Sequence, residues 1–461
     1  MTASSDPHNR PYFEHQVRGI SPARFAAFEI LRQVEEEGAY SSILLAAVDG
    51  EMRAEDRALC HELVLGVLRR RLWLDRVIAH LAEREVDDLD LAVRLALRLG
   101  IYQLRFLSRI PPSAAVNESV NLVRAGGVQS AAGLVNAVLR RAISESDCDP
   151  SAGIIDGDER LAIETSHPKW LIRRWVNAFG AEQATALARA NNEPAPVAFR
   201  LTTKALALED GPARVIARLE SAGAELSPSQ IVPNSWRVNG DRSVLRELSR
   251  EGLIYLQDEA SQLVAHLLGA QPNERVLDVC AAPGSKTTHI DALAPLAFIV
   301  AGDLHEHRLR TLDSLAKQQE VSGIQPVVYD AIQPLPFSGE SFDRVLVDAP
   351  CSGTGTLRRN PEIRWRLTLV DISELSQKQI RILANASAVV RPGGRLLYST
   401  CSVEPEENEG VAEAFLKKHD DFRSAILDAP AEMLSETGAI RTWPHRDGVD
   451  GFFIQAFERK M

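Results

Sequence analysis

The sequence predicts a multidomain protein in which an all-α bundle is followed by a small α+β module and then by an α/β domain. Three observations predict this: the length of 461 residues, the helical spacing of apolar residues over 21–145, and short apolar runs that alternate with helical patterns from about Gly252 onward. At about 150 residues per domain, this length suffices for two to four domains. With 45% hydrophobic and 25% charged residues, the composition is that of a globular protein, which argues against a disordered or fibrous chain.

The charge limits the classes of function. There are 63 acidic and 52 basic residues, for a net charge of −11, which excludes a globally basic nucleic-acid binder but not a local basic face. The basic residues are 44 Arg and only 8 Lys, the first of which is Lys169. The planar guanidinium fork suits phosphate, so this bias permits RNA contact, although a GC-rich genome is the more ordinary explanation.

Neither a targeting segment nor a metal framework is indicated. The first 20 residues contain no apolar run typical of a secretory signal, and no stretch approaches the roughly 18 apolar residues that span a bilayer. We therefore expect a cytoplasmic protein. The cysteines are odd in number, far apart and without a CxxC pair, so a zinc site or a disulfide framework is not expected. They are Cys60, Cys148, Cys280, Cys351 and Cys401.

Four segments are predicted. Apolar residues at three- and four-residue spacing and few strand signals indicate the helical bundle, and core packing alone explains these stripes. The segment SESDCDPSAGIIDGD, at 144–158, has the Ser, Asp, Gly and Pro content of an exposed linker. In the small module we expect helices at 167–179 and 181–190, a strand at 197–201 and one helix at 212–222. The predicted ranges are 1–20 for a flexible N-terminus, 21–145 for the bundle, 160–250 for the module and 251–461 for the α/β domain.

The α/β domain is predicted from five strand-like runs that alternate with helical patterns, as in a parallel sheet. These runs lie at 275–279, 298–303, 326–330, 342–348 and 394–400. Such sheets bind ligands beyond the carboxyl ends of their strands. Because Asp303, Asp330 and Asp348 lie at these ends, they are candidates for a binding site.

A turn of small residues follows the first of these runs. Residues 280–288 would let a ligand approach the backbone, and the helix N-terminus that follows favours an anionic group, although a tight turn without ligand is the alternative. Asp303 lies about twenty residues further on, where an acid accepts hydrogen bonds from ribose hydroxyls in nucleoside-binding folds. It could instead cap the next helix. Asp330 could contact an adenine amino group or be an ordinary loop residue, with equal weight.

Two cysteines follow neighbouring strands of the predicted sheet. Cys351 comes three residues after Asp348, and Cys401 follows the last run. A buried cysteine is ordinarily an inert core residue. Two of them at the mouth of one sheet, beside an acid, indicate nucleophilic chemistry.

Two arginine clusters are candidates for RNA contact. Residues 358–361 and 364–366 place arginine beside Trp365, which suits phosphate binding and base stacking, with a solvated helix start as the alternative. Arg69, Arg70 and Arg71 are similar candidates, with a solvated helix face as the alternative.

The motifs around these residues resemble the RNA cytosine-C5 methyltransferases of the Nop2/Sun/Fmu superfamily. The segments that carry the resemblance are DVCAAPGSKTT, DAPCSGTGTLRRNPEIRW, YSTCSVEPEENEG, GLIYLQDEAS and DGFF, beginning at residues 278, 348, 398, 252 and 450. The helical region is similar to the antitermination factor NusB at 114–120 and 133–140. Together they resemble the bacterial small-subunit ribosomal RNA methyltransferases, from about residue 21 onward. The resemblance implies a NusB-like RNA-binding bundle and a Rossmann-like catalytic domain.

The resemblance also implies roles for the residues of the site. Cys401 would be the nucleophile, whose thiolate adds to C6 of cytosine so that C5 can attack the methyl group of S-adenosylmethionine. Cys351 would assist breakdown of the covalent adduct. Asp348 would hydrogen-bond the cytosine ring, and Lys286 would support the geometry of the site.

The cofactor implied is S-adenosyl-L-methionine, without a metal. Its binding residues would be Cys280, Ala281, Ala282, Pro283, Gly284, Ser285, Lys286, Asp303 on the ribose, Arg308, Asp330 near the adenine, and Asp348. The family commonly has glycine where this chain has Ser285. A side chain there would crowd the turn if the position needed a positive φ, but serine is small and we expect cofactor binding to survive.

The substrate that the resemblance implies is cytosine 967 of 16S ribosomal RNA, naked or in an early small-subunit particle. The cytosine is expected to be flipped or unpaired, and we expect the enzyme to be a monomer. The alternatives are the same chemistry on transfer RNA or 23S ribosomal RNA, and a non-catalytic RNA-binding assembly factor. DNA cytosine methylation is disfavoured because those enzymes have a different motif set. A thiol hydrolase would need a histidine such as His445 near Cys401.

Overall fold

The computed structural model describes residues 19–48, 52–240 and 243–461. Most of the predicted flexible N-terminus, residues 1–18, thus lies outside the described residues. The chain forms two compact units. The helical unit consists of Met1–Glu193 with Leu357–Arg366, and the sheet unit consists of Pro194–Thr356 with Leu367–Met461. The limits of the four predicted domains stay predictions.

The helices were named in chain order. They are α1 (Pro22–Glu36), α2 (Ser41–Val48), α3 (Ala54–Arg69), α4 (Arg71–Ala82), α5 (Leu91–Phe106), α6 (Pro112–Ala125), α7 (Ala132–Ser144), α8 (Gly157–Thr165), α9 (Lys169–Phe179), α10 (Ala181–Ala190), α11 (Thr203–Ala207), α12 (Gly211–Ser221), α13 (Ser243–Arg250), α14 (Glu259–Leu268), α15 (Ser285–Leu293), α16 (Glu306–Gln318), α17 (Ile363–Arg366), α18 (Leu369–Ser387) and α19 (Glu409–Lys418).

The strands were named likewise. They are β1 (Val197–Leu201), β2 (Glu225–Pro228), β3 (Ser235–Asn239), β4 (Ile254–Leu256), β5 (Arg275–Asp278), β6 (Phe298–Asp303), β7 (Ile324–Val328), β8 (Phe342–Asp348), β9 (Val390–Thr400), β10 (Phe422–Ala425), β11 (Ile440–Thr442) and β12 (Phe452–Arg459).

The helical unit confirms the all-α prediction for 21–145. Helix α1 begins at Pro22, as the Ser21-Pro22 pair predicts, since proline tolerates the first helical turn. Helix α5 lies at the centre and buries both its apolar stripe and part of its polar face, including Arg98. One continuous apolar core joins α1 to α7.

A segment from much later in the sequence completes this unit. Glu362 is buried and its carboxylate accepts hydrogen bonds from the backbone N–H and the hydroxyl of Ser41, 2.9 Å each, at the first residue of α2. The Trp365 indole N–H donates to the Leu68 carbonyl at 3.1 Å. Arg364 is fully buried and donates to the Ser166 carbonyl at 3.1 Å. Leu357–Arg366 is therefore part of the helical unit, although the sequence around it belongs to the sheet unit.

This burial corrects two expectations. Arg358 and Arg364 are 3% and 0% exposed, so neither is available for the phosphate contact predicted for them, and neither lies on a solvated helix start. Burial lowers the pKa of Arg364 to about 9, assisted by the nearby charges of Arg69 and Arg70. Arg69 is also buried and donates to the Arg358 carbonyl at 2.6 Å, so it is not part of an exposed basic face.

Replacing Glu362 tests the importance of this segment. Glu362→Ala leaves the buried Ser41 N–H without a partner, and we expect the free energy of unfolding to fall by about 2 kcal/mol, as for loss of a helix cap. Urea unfolding followed by circular dichroism measures this. Glu182→Ala is the control, since Glu182 also lies in the first turn of a helix but is exposed. Equal stabilities of the two variants would contradict the prediction.

The small module is a four-stranded antiparallel sheet in the order β2-β3-β1-β4. The strand predicted at 197–201 and the helices predicted at 167–179 and 181–190 are confirmed within two residues. The prediction of one helix was wrong, because α11 and α13 flank the predicted one, α12. Helix α11 is capped by the Thr202 hydroxyl and has only five residues. A helix of this length is too short for apolar periodicity to appear.

The larger sheet has the order β10-β12-β9-β8-β5-β6-β7, with β11 paired to β12. All five strands predicted for it are present, and β9, β8, β5, β6 and β7 are parallel. The sheet is mixed rather than wholly parallel, because β12 joins β9 antiparallel and β10 and β11 join β12 in the same sense. The strand order reverses between β5 and β8, the position at which such sheets bind ligands.

None of the helices in the described part of the chain is both long and apolar enough to cross a membrane.

Candidate active site

The site forms where three neighbouring strands end. Strands β5, β8 and β9 run parallel and finish at Asp278, Asp348 and Thr400. Asp278 lies beside Leu346 and Asp348 lies beside Ser399 in the sheet register. The segments after these strands, which contain the predicted cofactor turn and both predicted cysteines, therefore emerge side by side.

Backbone hydrogen bonds fix the turn after β5. The Ala281 N–H donates to the Gly302 carbonyl at 2.7 Å, and the Gly284 N–H donates to the Ala281 carbonyl at 2.8 Å. Gly284 has φ +104°, and a Cβ there would lie 2.7 Å from the Leu312 side chain. The left-handed position is therefore Gly284, and Ser285 is already the first residue of α15. The departure from the family pattern at Ser285 is accommodated because that residue has helical backbone.

The other residues of the turn line the same strand end. Ala281 and Ala282 are buried, and the Ala282–Pro283 peptide bond is cis. Cys280 is half-buried, and burial raises the pKa of its thiol, as do the charges of Asp278 and Asp348. Cys280 therefore stays protonated and contributes packing rather than a reactive thiolate.

The acids predicted to bind the cofactor lie at the ends of β6 and β7. Asp303 is buried, its Oδ2 lies 3.3 Å from an Arg308 nitrogen, and Arg308 also donates to the Ala282 carbonyl at 2.7 Å. Arg308 thereby links this carboxylate to the turn. Asp330 follows β7 by two residues and its Oδ1 accepts the Ile332 N–H at 3.0 Å, so part of it serves the local turn.

Asp348 is held from two sides. Its Oδ2 accepts a hydrogen bond from the Lys286 ammonium at 2.7 Å, and its Oδ1 accepts one from the Ser399 hydroxyl at 2.8 Å. Burial opposes the charged form of Lys286, but the charge and hydrogen bond of Asp348 outweigh it and raise the lysine pKa. The ammonium also lies 5.4 Å from the centre of the Phe452 ring. The carboxylate has a fixed orientation as a result.

The two predicted cysteines lie together. The sulfurs of Cys351 and Cys401 are 3.3 Å apart, and both residues are half-buried. The Gly355 N–H donates to the Cys401 carbonyl at 2.9 Å, and the Gly451 N–H donates to the Gly355 carbonyl at 2.8 Å. A Cβ on Gly355 would lie 1.9 Å from the Gly451 carbonyl oxygen, so only glycine permits this approach.

The paired sulfurs differ from isolated thiols. The hydrogen bond with Cys401 and burial raise the pKa of the Cys351 thiol well above its ordinary value, and the charges of Cys401 and Glu407 act in the same direction. Cys351 therefore keeps its proton at ordinary pH. One thiol can act as a nucleophile while the other acts as an acid.

Two residues of the site were missed in the sequence. Ser399 orients Asp348, and Asp278 lies fully buried at the end of β5 with its Oδ2 accepting the Thr287 hydroxyl at 2.7 Å. Burial raises the pKa of Asp278 to about 7, although the hydrogen bond from Thr287 opposes this. Both residues lie inside the motifs that carry the resemblance. Their position at a strand end, next to a strand that ends in a predicted site residue, could have identified them.

The site thus combines an ordered turn after β5 with a pair of thiols and a fixed carboxylate in an α/β fold, and comparisons identify this class of protein as methyltransferase. Residues 265–458 match the family model of the 16S rRNA methyltransferase RsmB/F, residues 21–144 match the NusB family, and residues 167–245 match the RsmF/B-like ferredoxin-like domain.

Relatives match over nearly the whole chain. The ribosomal RNA small subunit methyltransferases B of Escherichia coli and Erwinia tasmaniensis are each 35% identical, over 95% of this chain and 98% of theirs. The crystal structure of PH0851 is 29% identical, with a TM-score of 0.81 over 95% of this chain and 98% of that one. The chain belongs to the family of ribosomal RNA small subunit methyltransferase B, enzymes that depend on S-adenosylmethionine.

The buried acid of β5 gives a prediction about pH. The unfolded chain releases the Asp278 proton near pH 4, whereas the folded chain holds it to about pH 7. The bound proton makes its full contribution to the free energy of unfolding below the pKa of the unfolded chain. This contribution is lost as the pH rises through the pKa of the folded chain. Relative to Asp278→Asn, we expect the wild-type free energy of unfolding to fall from about pH 5.5 to about pH 7, by at most about 1.4 kcal/mol per pH unit.

Urea unfolding at several pH values measures this difference. Asp428→Asn, at an exposed aspartate of the same unit, is the control and should run parallel to the wild type. Parallel curves for Asp278→Asn would show that Asp278 is already ionised at pH 5.5.

Proposed function

We propose that this protein methylates C5 of a cytosine in 16S ribosomal RNA, at position 967, through a covalent adduct between Cys401 and C6 of the base. The observation that carries the proposal is the pair of sulfurs, 3.3 Å apart, beside a carboxylate that Lys286 and Ser399 hold in place. The ribosomal substrate rests on the family, whereas the position rests on the resemblance of the motifs alone.

The chemistry needs both thiols. The Cys401 thiolate adds to C6 and forms an S–C bond, and the ring electrons move to make C5 nucleophilic. After methyl transfer, water takes up the C5 proton, the C5–C6 double bond forms again, and the Cys401 sulfur leaves as a thiolate. Cys351 holds its proton at ordinary pH, so it can protonate the departing sulfur and then recover a proton from solvent.

Asp348 would contact the polar edge of the cytosine. Its carboxylate is tied to Lys286 at one oxygen and to Ser399 at the other, so its remaining lone pairs have a fixed direction. A preorganised acceptor of this kind stabilises the N3-protonated ring, whose positive charge makes C6 more open to attack by the thiolate. The target base must leave its stack, so an unpaired or flipped cytosine is expected.

The residues of the turn fit S-adenosylmethionine. When bound, it would supply an electrophilic methyl group. With Gly284 in the left-handed conformation, the turn 280–286 passes next to Asp303, which at the end of β6 has the position of a ribose acceptor. Arg308 keeps Asp303 next to the turn, and Asp330, beyond the end of the next strand, would contact the adenine.

Gly284 and Ser285 test this binding site. We expect Gly284→Ala to weaken binding of S-adenosylmethionine by about tenfold or more, because alanine at φ +104° is strained. Ser285→Gly should bind like the wild type, since Ser285 has helical backbone. Isothermal titration calorimetry measures both. Equal affinities for Gly284→Ala and the wild type would contradict the proposal that the cofactor binds at this turn.

The reaction is tested by bisulfite sequencing of unmodified 16S RNA after incubation with protein and S-adenosylmethionine. We expect one protected cytosine with the wild type and none with Cys401→Ala. Cys351→Ala should accumulate a protein–RNA adduct that denaturing gels retain, because the step that Cys351 assists follows adduct formation. Protection that survives Cys401→Ala would contradict the assignment of the nucleophile.

The same experiment separates the alternatives. Protection in transfer RNA or 23S RNA alone would keep the chemistry and change the substrate. RNA binding without protection in any RNA would favour an assembly factor. RNA docking by the NusB-like bundle and the small module, a monomeric state, and a cytoplasmic location all stay predictions.

A further inference from the structure

A buried carboxylate lies behind the two cysteines. Glu407 is fully buried on the short 3₁₀ turn Pro405–Glu407. Its hydrogen-bond partners are neutral groups, and no arginine, lysine or histidine of the described residues forms an ion pair with it. A buried carboxylate without a counter-ion is rare, and it persists only when hydrogen-bond donors surround it.

The donors come from both cysteine-bearing loops. Glu407 Oε1 accepts the Ser352 N–H and an amide hydrogen of Gln379, at 2.9 Å each. Its Oε2 accepts the Ser402 hydroxyl at 2.6 Å and also the Ser352 hydroxyl. Ser352 directly follows Cys351, and Ser402 directly follows Cys401. One carboxylate thus binds the residue next to each sulfur.

The hydroxyls of the two serines lie next to each other. Their hydroxyl oxygens are 3.0 Å apart, and the Ser402 oxygen accepts the Glu404 N–H at 3.0 Å. All of these atoms are buried, so water does not compete for the donors. The distance between the loops is therefore set by a closed polar network rather than by apolar packing alone.

We propose that Glu407 is a positioning residue that holds the Cys351 and Cys401 sulfurs at contact distance through Ser352 and Ser402. Its role in catalysis rests on the function proposed above, whereas its effect on the sulfurs does not. The negative charge of Glu407 also raises the pKa of the Cys351 thiol, after the larger effects of the Cys401 hydrogen bond and burial. The same group thus contributes to both the position and the protonation of Cys351.

A trivalent arsenical tests the geometry without any RNA. Phenylarsine oxide condenses with two adjacent thiols to form two As–S bonds and release one water, with no change of oxidation state. We expect the wild type to bind the arsenical and Cys351→Ser to lose this binding. Glu407→Gln places an amide N–H among four donors, so it should separate the loops and weaken this binding.

The control and the second variant keep this test decisive. Glu406→Gln, at the exposed glutamate of the same turn, should bind the arsenical like the wild type. If Glu407→Gln does not fold, as judged by circular dichroism and its melting temperature, Ser402→Ala releases only the Cys401 loop and should weaken binding in its place. Wild-type arsenical binding by a folded Glu407→Gln or by Ser402→Ala would overturn the proposal.

Kinetics separate positioning from general stability. With 16S RNA as substrate, we expect kcat of Glu407→Gln to fall about a hundredfold, with KM for RNA nearly unchanged, because misplacing reacting groups by about 1 Å costs this much. Because loss of the Glu407 charge lowers the pKa of the Cys351 thiol, the alkaline side of the kcat–pH profile should also shift to lower pH relative to Glu406→Gln. A rise in KM alone would overturn the catalytic role. If the wild type methylates no RNA, the proposed function fails, while arsenical binding still decides the geometry.

Discussion

The parallel pairing of β8 with β9 is the constraint on which the site depends. Because Asp348 lies beside Ser399 in this register, the loops that follow must leave the sheet together, and Cys351 meets Cys401 although 50 positions separate them. A shift of one residue would turn every side chain of the strand to the opposite face. The hydrogen bond from the Ser399 hydroxyl to Asp348 would then be lost.

Three carboxyl groups near this pair of strands differ in the partners that surround them. Asp348 is balanced by Lys286, Glu407 is surrounded by neutral donors, and Asp278 accepts the Thr287 hydroxyl at one of its oxygens. Burying an ion without a partner is costly, so each of these groups restricts the positions of its neighbours. The site is preorganised because the alternative arrangements would leave a carboxylate without hydrogen bonds.

The segment Leu357–Arg366 shows where sequence reasoning reaches its limit. Arginine next to tryptophan is typical of both a nucleic-acid surface and a solvated helix, and neither applies, since Arg364 is fully buried and Trp365 donates to Leu68. No local pattern indicates that a segment packs against helices encoded nearly 300 residues earlier. At Ser285 the rule that a side chain crowds a left-handed position is correct, but the position does not need it. The left-handed residue is its neighbour Gly284.

By itself, the sequence determined the order of the architectures, the five strands of the parallel part of the large sheet, and the residues at their ends, because periodicity and turn chemistry are local properties of the chain. It also identified Cys351, Cys401, Asp303 and Asp348 as candidates. Only the tertiary structure decided that the sheet is mixed, that Lys286 pairs with Asp348, and that Glu407 lies between the cysteine loops. These are contacts between distant segments, whose energies depend on burial and distance that no stretch of sequence contains.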